Sequence, residues 1–109
     1  MKAIDRAVEH FKQKPVKRIE VPEWGDEQGP LVIFANPITL REQSRLSKVD
    51  GGDAEMLIEV LVMKALDGHG EKLFALDDKP KLRSSADPLV VAKIVSQIMA
   101  QPQETLEKN

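Results

Sequence analysis

The sequence predicts an α+β fold that is mainly α, in which an N-terminal β-hairpin packs on a bundle of about four helices. Two observations carry this prediction. Residues 16–36 hold two short runs rich in β-branched residues, separated by a polar turn that contains glycine. From residue 39 onward, apolar residues recur at helical spacing, and glycine, proline and capping residues divide the stretch into separate helices. With 109 residues, the chain has the length of one domain, which we place at 1–100, followed by a flexible polar tail at 101–109.

The segment 1–14 is predicted to form a helix ahead of the hairpin. It carries a narrow apolar stripe at helical spacing, formed by Ile4, Ala7, Val8 and Phe11. Pro15 ends the pattern. We expect this helix to pack on its own domain. The alternative is that it docks on a partner, because so narrow a stripe buries little area.

The segment 16–36 is predicted to form the hairpin. In its first strand, Ile19 and Val21 alternate with charged residues, and Pro22 marks this strand as an edge. The polar stretch 25–29 predicts a loop of about five residues. The second strand, 31–36, is apolar on both faces, so we expect one face to meet the helices and the other to be partly exposed.

The segment 39–100 is predicted to be the helical part. Thr39 and Glu42 have the spacing of a capping box. The glycines within 50–53 break the first helix, and Asp53 is expected to cap the next. Residues 54–67 are apolar on nearly every side, which is typical of a helix surrounded by neighbours.

The C-terminal part is predicted to contain one short helical turn within 77–85 and a final helix. Asp87 and Pro88 are an N-cap followed by a first-turn proline. The expected buried face of the final helix consists of Leu89, Val91, Ile94, Val95 and Ile98.

Composition excludes several classes of function. The chain has no cysteine, which excludes disulfides, thiolate metal sites and cysteine nucleophiles. A net charge of −2 and an aromatic content of 4% argue against a nucleic-acid or membrane partner. No apolar run reaches the ~20 residues that span a bilayer. The charged N-terminal segment lacks the apolar core of a signal peptide, so we expect a cytoplasmic protein.

The stretch ALDGHGEKLFALDD, residues 65–78, is the main candidate for chemistry. Asp67, His69 and Glu71 alternate as metal ligands do, but the oxygen series then ends and Lys72 brings a positive charge beside it. A turn explains the same residues more simply. In that interpretation Gly68 ends the preceding helix in the left-handed conformation, and His69 is an exposed turn residue.

No arrangement of residues points to catalysis. Asp77 and Asp78 are adjacent carboxylates at a helix start, where such pairs usually cap the helix. The chain lacks a nucleophile elbow and a phosphate-binding glycine loop. We therefore expect no catalytic residues, no bound metal, no cofactor and no enzymatic activity.

Apolar residues that the predicted core does not need point instead to protein binding. One candidate surface is a groove lined by Val32, Phe34 and Trp24, since tryptophan is enriched at interface hot spots. The other is the stripe on the terminal helix, represented by Ile4, Val8 and Phe11.

The order of elements over about residues 16–100 resembles the tail assembly chaperones of long-tailed bacteriophages and prophages, the family of the lambda G protein. The matching features are a strand ending in VPEWG, a helix start with Leu40-Arg41, and a turn of the form D-x-x-G-x-x-L-F from Asp67 to Phe74. The segment 2–13 has no counterpart in this pattern.

The resemblance implies a chaperone that binds the tape measure protein, helps to recruit tail tube subunits in the host cytoplasm, and is absent from the finished virion. The family commonly uses a programmed frameshift, and Glu107-Lys108-Asn109 can be encoded by the slippery run A-AAA-AAC. An exposed strand edge permits a homo-oligomer. Two alternatives stay open, a small bacterial adaptor or regulator that binds one protein, and a metal-dependent enzyme built on Asp67, His69 and Glu71.

Overall fold

Five α-helices and one antiparallel hairpin make up residues 2–100, the part of the chain that this computed structural model describes. In chain order the elements are α1 (Ala3–Lys12), β1 (Lys17–Asp26), β2 (Gly29–Ala35), α2 (Leu40–Ser47), α3 (Asp53–Lys64), α4 (Lys79–Ser85) and α5 (Pro88–Met99). The predicted fold class is confirmed, with the hairpin packed on helices α2 to α5. The predicted tail at 101–109 lies outside the described residues.

The hairpin turn is shorter than predicted. β1 continues to Asp26, which pairs with Gly29, so only Glu27 and Gln28 connect the strands. The expected five-residue loop at 25–29 is therefore wrong. The pairing register shifts between Val21 and Asp26. β1 therefore continues beyond the point where its apolar and charged residues stop alternating. The Asp26 Oδ1 atom accepts a hydrogen bond from the Gln28 backbone N–H at 2.9 Å, and Gly29 has φ +125°.

The core lies between the inner face of the hairpin and helices α3 and α5. α3 contacts α2, α4 and α5, as its apolar composition on nearly every side predicts. The most deeply buried side chains come from both layers: Val21 and Ile33 from the hairpin, Val60 and Leu61 from α3, and Ile94 from α5. The hairpin is thus held by helices, without which a two-stranded sheet would be marginal.

Two of the predicted helix starts are confirmed in detail. The Thr39 hydroxyl accepts a hydrogen bond from the Glu42 backbone at 3.1 Å, and the Glu42 carboxylate accepts one from the Thr39 backbone at 3.0 Å. Asp87 caps α5 by accepting a hydrogen bond from the Leu89 backbone at 2.9 Å, with Pro88 as the first helical residue. The cap of α3 differs, because Gly52 is its N-cap and Asp53 already lies inside the helix.

Other predicted boundaries and faces need correction. α3 ends at Lys64, and Ala65 is extended, so the helix stops before the predicted residue 67. The stretch expected to hold one turn forms a 3₁₀ turn (Leu76–Asp78) followed by the seven-residue α4. In α5, Leu89 is 79% exposed whereas Val90 is buried. Leu89 and Ile94 are five positions apart, which places them well off a shared helix face.

The expectation that the terminal helix packs on its own domain is wrong. No residue of α1 is buried. Ile4 is 64% exposed and Val8 is 47% exposed, while Phe11 is half-buried. The apolar stripe of α1 is therefore left largely open.

Candidate functional site

The turn that contains Asp67, His69 and Glu71 is organised by the Asp67 side chain. Its Oδ1 atom accepts hydrogen bonds from the backbone N–H groups of His69 at 2.8 Å and of Glu71 at 3.0 Å. The bond from Glu71, followed by that from His69, holds the pKa of Asp67 below its ordinary value. The carboxylate is thus engaged by its own backbone.

The segment before the turn also pairs with the outer edge of β2 at Phe34, which the sequence does not indicate. Leu66 exchanges backbone hydrogen bonds of 2.8 and 2.9 Å with Phe34, and it forms a second antiparallel bridge with Lys72. The Lys72 ammonium donates to the carbonyls of Val62 at 3.2 Å and Met63 at 2.8 Å. These carbonyls belong to the last turn of α3, which has no helical N–H groups left to bind them.

The two glycines of the turn have different roles. Gly70 adopts φ +82°, the left-handed region, whereas Gly68 does not. The prediction that a left-handed Gly68 ends the helix is therefore wrong. The helix ends earlier, at Lys64, through an extended Ala65.

No group of three or more His, Cys, Asp or Glu side chains within residues 2–100 is arranged to hold a metal ion. His69 lies exposed in the turn, as predicted. The predicted capping role holds for Asp78, whose Oδ2 atom accepts a hydrogen bond from the Ala75 backbone at 2.8 Å. The Asp67 and Asp78 carboxylates therefore stabilise the backbone of their own turns.

The structure does not bring the predicted groove residues together. Trp24 lies on the core side of the hairpin, with its ring edge-on to Phe74 at a centroid distance of 6.3 Å and an interplanar angle of 75°. Val32 and Phe34 are half-buried and pair with Glu20 and Arg18. Because side chains alternate along a strand, these residues face away from buried Ile33 and Ile19. Trp24 therefore lies on one face of the hairpin, and Val32 and Phe34 lie on the other.

Two shallow grooves flank the pair Leu73 and Phe74, and sequence reasoning missed both. One, of about 520 Å³, is bounded by α2, α3 and the 3₁₀ turn. The other, of about 430 Å³, is lined by Trp24 and by α4 residues including Leu82. The Leu73-Phe74 dipeptide after the glycines was the sequence signal for these grooves. It indicates the apolar pair between them but not the other residues that line them.

Ion pairs border the first groove. Glu59 lies 2.7 Å from the Lys79 ammonium and 3.4 Å from the Arg45 guanidinium, and the exposed Leu76 lies at the groove's rim. Among residues 2–100, the α1 stripe and the grooves beside Phe74 are therefore open apolar surfaces. Apolar area edged by charges is typical of protein-binding surfaces.

Comparisons with protein-family models, curated proteins and solved structures find no match to this chain. No helix among the described residues 2–100 is long and apolar enough to cross a membrane. The fold and the surfaces above define the chain as a mainly helical α+β domain with open apolar surfaces.

Proposed function

We propose that this protein is a tail assembly chaperone of a long-tailed phage or prophage, which binds the tape measure protein and helps to recruit tail tube subunits. It acts in the host cytoplasm and is absent from the finished virion. The family assignment rests on the resemblance around Leu40-Arg41 and from Asp67 to Phe74.

The observation that carries the binding role is the open stripe of α1. Ile4 and Val8 are 64% and 47% exposed on a helix with no buried residue. An amphipathic helix of this kind packs its apolar side against another apolar helix face. A long helical tape measure protein presents many such faces, and covering them would keep it soluble.

Co-expression with the tape measure protein of the same genome tests the proposal. The tagged chaperone should retain that protein through a salt series, since apolar contacts are little affected by screening. The double variant Ile4→Glu/Val8→Glu should weaken retention by about tenfold or more, the size expected for losing interface anchors. Both positions are exposed, so the variant should fold normally.

Leu89→Glu is the matched control, because Leu89 is 79% exposed on a different helix. It should retain the tape measure protein as wild type does. Absence of retention for the wild type would contradict the proposed function. Equal loss for the control and the α1 variant would contradict the role of the stripe.

The genome separates this proposal from a small adaptor of unrelated role. A phage chaperone should lie between a tail tube gene and a very long helical open reading frame. A slippery run at the codons of Glu107-Lys108-Asn109 would add support for a frameshifted longer form. A different gene neighbourhood would favour the adaptor.

A further inference from the structure

Within residues 2–100, the outer edge of β1 carries open backbone hydrogen-bonding groups. Phe34 uses both its N–H and its C=O to pair with Leu66, on the side of β2 away from β1. In an antiparallel ladder, residues opposite each other direct these groups either toward each other or both outward. Arg18 is opposite Phe34, so the N–H and C=O of Arg18 point away from β2.

The same alternation applies two residues further along β1. Glu20 is opposite Val32, so its N–H and C=O also point outward. Within residues 2–100, no backbone hydrogen bond joins Arg18 or Glu20 to an element beyond the hairpin. Pro22, next in this outward series, has no N–H and ends the usable edge.

We propose that this edge pairs with the β1 edge of a second copy of the chain, antiparallel about a two-fold axis at Ile19. This register places Arg18 of each copy opposite Glu20 of the other, and each such pair exchanges two backbone hydrogen bonds. The result is one continuous sheet in the order β2, β1, β1, β2. This inference concerns the protein alone and does not rest on the proposed function.

Charge selects this register over its neighbours. Only registers that set outward-pointing residues opposite each other can form the ladder. Neighbouring registers of this kind differ by a slide of two residues, which moves the two-fold axis by one residue. Moving the axis to residue 18 sets Arg18 against Arg18 of the second copy, and moving it to residue 20 sets Glu20 against Glu20. Like charges directly opposite each other are destabilising, whereas opposite charges stabilise a cross-strand pair.

The side chains are already placed for this exchange. Arg18 and Glu20 lie on one face of β1 and form an ion pair of 2.7 Å, with both side chains more than half exposed. In the dimer each guanidinium gains a carboxylate directly across the new strand boundary. The same charges discourage pairing with unrelated strand edges.

Sedimentation of the purified chain over a wide concentration range tests the dimer. Wild type should form a dimer, and either Arg18→Glu or Glu20→Arg should weaken it by about tenfold or more, because each substitution sets like charges opposite. The double variant Arg18→Glu/Glu20→Arg should restore it. An equimolar mixture of the two single variants should also dimerise, since their edges are complementary to each other.

Lys48→Glu and Glu27→Arg are the matched controls, because both residues are exposed and lie outside the paired segment. Both should dimerise as wild type does. Hydrogen exchange supplies the direct readout: the amides of Arg18 and Glu20 should gain protection as the dimer forms. A wild-type monomer at every concentration, single variants with unchanged association, or unprotected amides at these two residues would each overturn the proposal.

Discussion

The ammonium of Lys64 lies 2.8 Å from the Glu42 carboxylate and joins the last turn of α3 to the first turn of α2. The Lys64 side chain is only 5% exposed. The same Glu42 oxygen accepts the backbone N–H of Thr39 at 3.0 Å, and Lys64 also reaches the Pro37 carbonyl at 3.3 Å. One carboxylate therefore caps a helix and neutralises a buried cation.

Removing the charge of Glu42 should destabilise the fold strongly. Glu42→Gln keeps an oxygen for the Thr39 N–H but leaves the buried Lys64 ammonium without a counter-charge. We expect a loss of about 3 kcal/mol in the free energy of unfolding, measured by urea denaturation. The double variant Glu42→Gln/Lys64→Met should recover most of the loss. A Glu42→Gln loss below about 1 kcal/mol would show that Lys64 is neutralised elsewhere.

The Glu42–Lys64 pair should make the free energy of unfolding depend on pH. Burial raises the pKa of Glu42, but hydrogen bonds from Lys64 and Thr39 outweigh burial and lower the pKa below its ordinary value of 4.5. A carboxyl with a lowered folded-state pKa stabilises the protein above its unfolded pKa, and this contribution is lost as the pH falls through the folded value. Wild type should lose stability on acidification below pH 4.5.

Glu42→Gln serves as the reference for the acid measurement. The difference in free energy of unfolding between it and wild type should be constant near neutral pH and should shrink below pH 4.5. A difference that stays constant through the acid range would contradict the assignment to Glu42.

The two glycines of the 67–71 turn should respond differently to alanine. Gly70 has φ +82°, so Gly70→Ala should cost about 1–2 kcal/mol in thermal or urea unfolding. Gly68 has no positive φ, and an added Cβ would meet only Phe34 Cε2, at an ordinary 3.7 Å. Gly68→Ala should be neutral or stabilising by up to about 1 kcal/mol. The reverse order would contradict the observed turn.

Substituting His69 separates the turn from a metal site. The exposed imidazole supports no contact that organises the turn, since His69 contributes its backbone N–H to Asp67. His69→Ala should therefore leave both stability and metal content unchanged. Asp67→Ala should destabilise more than His69→Ala, because it leaves two backbone donors without their acceptor. Loss of bound metal in His69→Ala would revive the enzyme hypothesis.

Trp24 should report on the groove beside Phe74. It is the one tryptophan of the chain, and its ring lies 6.3 Å from that of Phe74. Phe74→Ala should shift its fluorescence to longer wavelength by admitting water, and should lower the free energy of unfolding by about 2 kcal/mol. Phe34→Ala is the control on the opposite face of the hairpin. It should leave the emission of the folded protein unchanged, and equal shifts would contradict the separation of the two surfaces.

Several features governed by neighbours in the chain were predictable from the sequence. The Thr39–Glu42 capping box and the Asp87 cap involve atoms within three residues of each other, so side-chain chemistry and spacing suffice. The central position of α3 follows from its lack of a polar face. The predicted turn at Asp67 is correct in kind, although its left-handed glycine is Gly70 and not Gly68.

Features that depend on distant partners were not predictable. Lys64 meets Glu42 from 22 positions away, and Leu66 pairs with the edge of β2 across a still longer separation. The sequence shows Trp24, Val32 and Phe34 as apolar, but a register shift inside β1 accompanies their separation onto opposite faces.

By itself, the sequence determined the fold class, the order of most elements and the caps of α2 and α5. Periodicity and capping act over a few residues and leave local signatures in the sequence. Only the tertiary structure decided that the stripe of α1 stays open and that Leu66 pairs with Phe34 on the edge of β2. It likewise decided that the groups of Arg18 and Glu20 face outward. Those outcomes depend on contacts between residues that are far apart in the sequence. Only the folded chain decides which of its surfaces become buried.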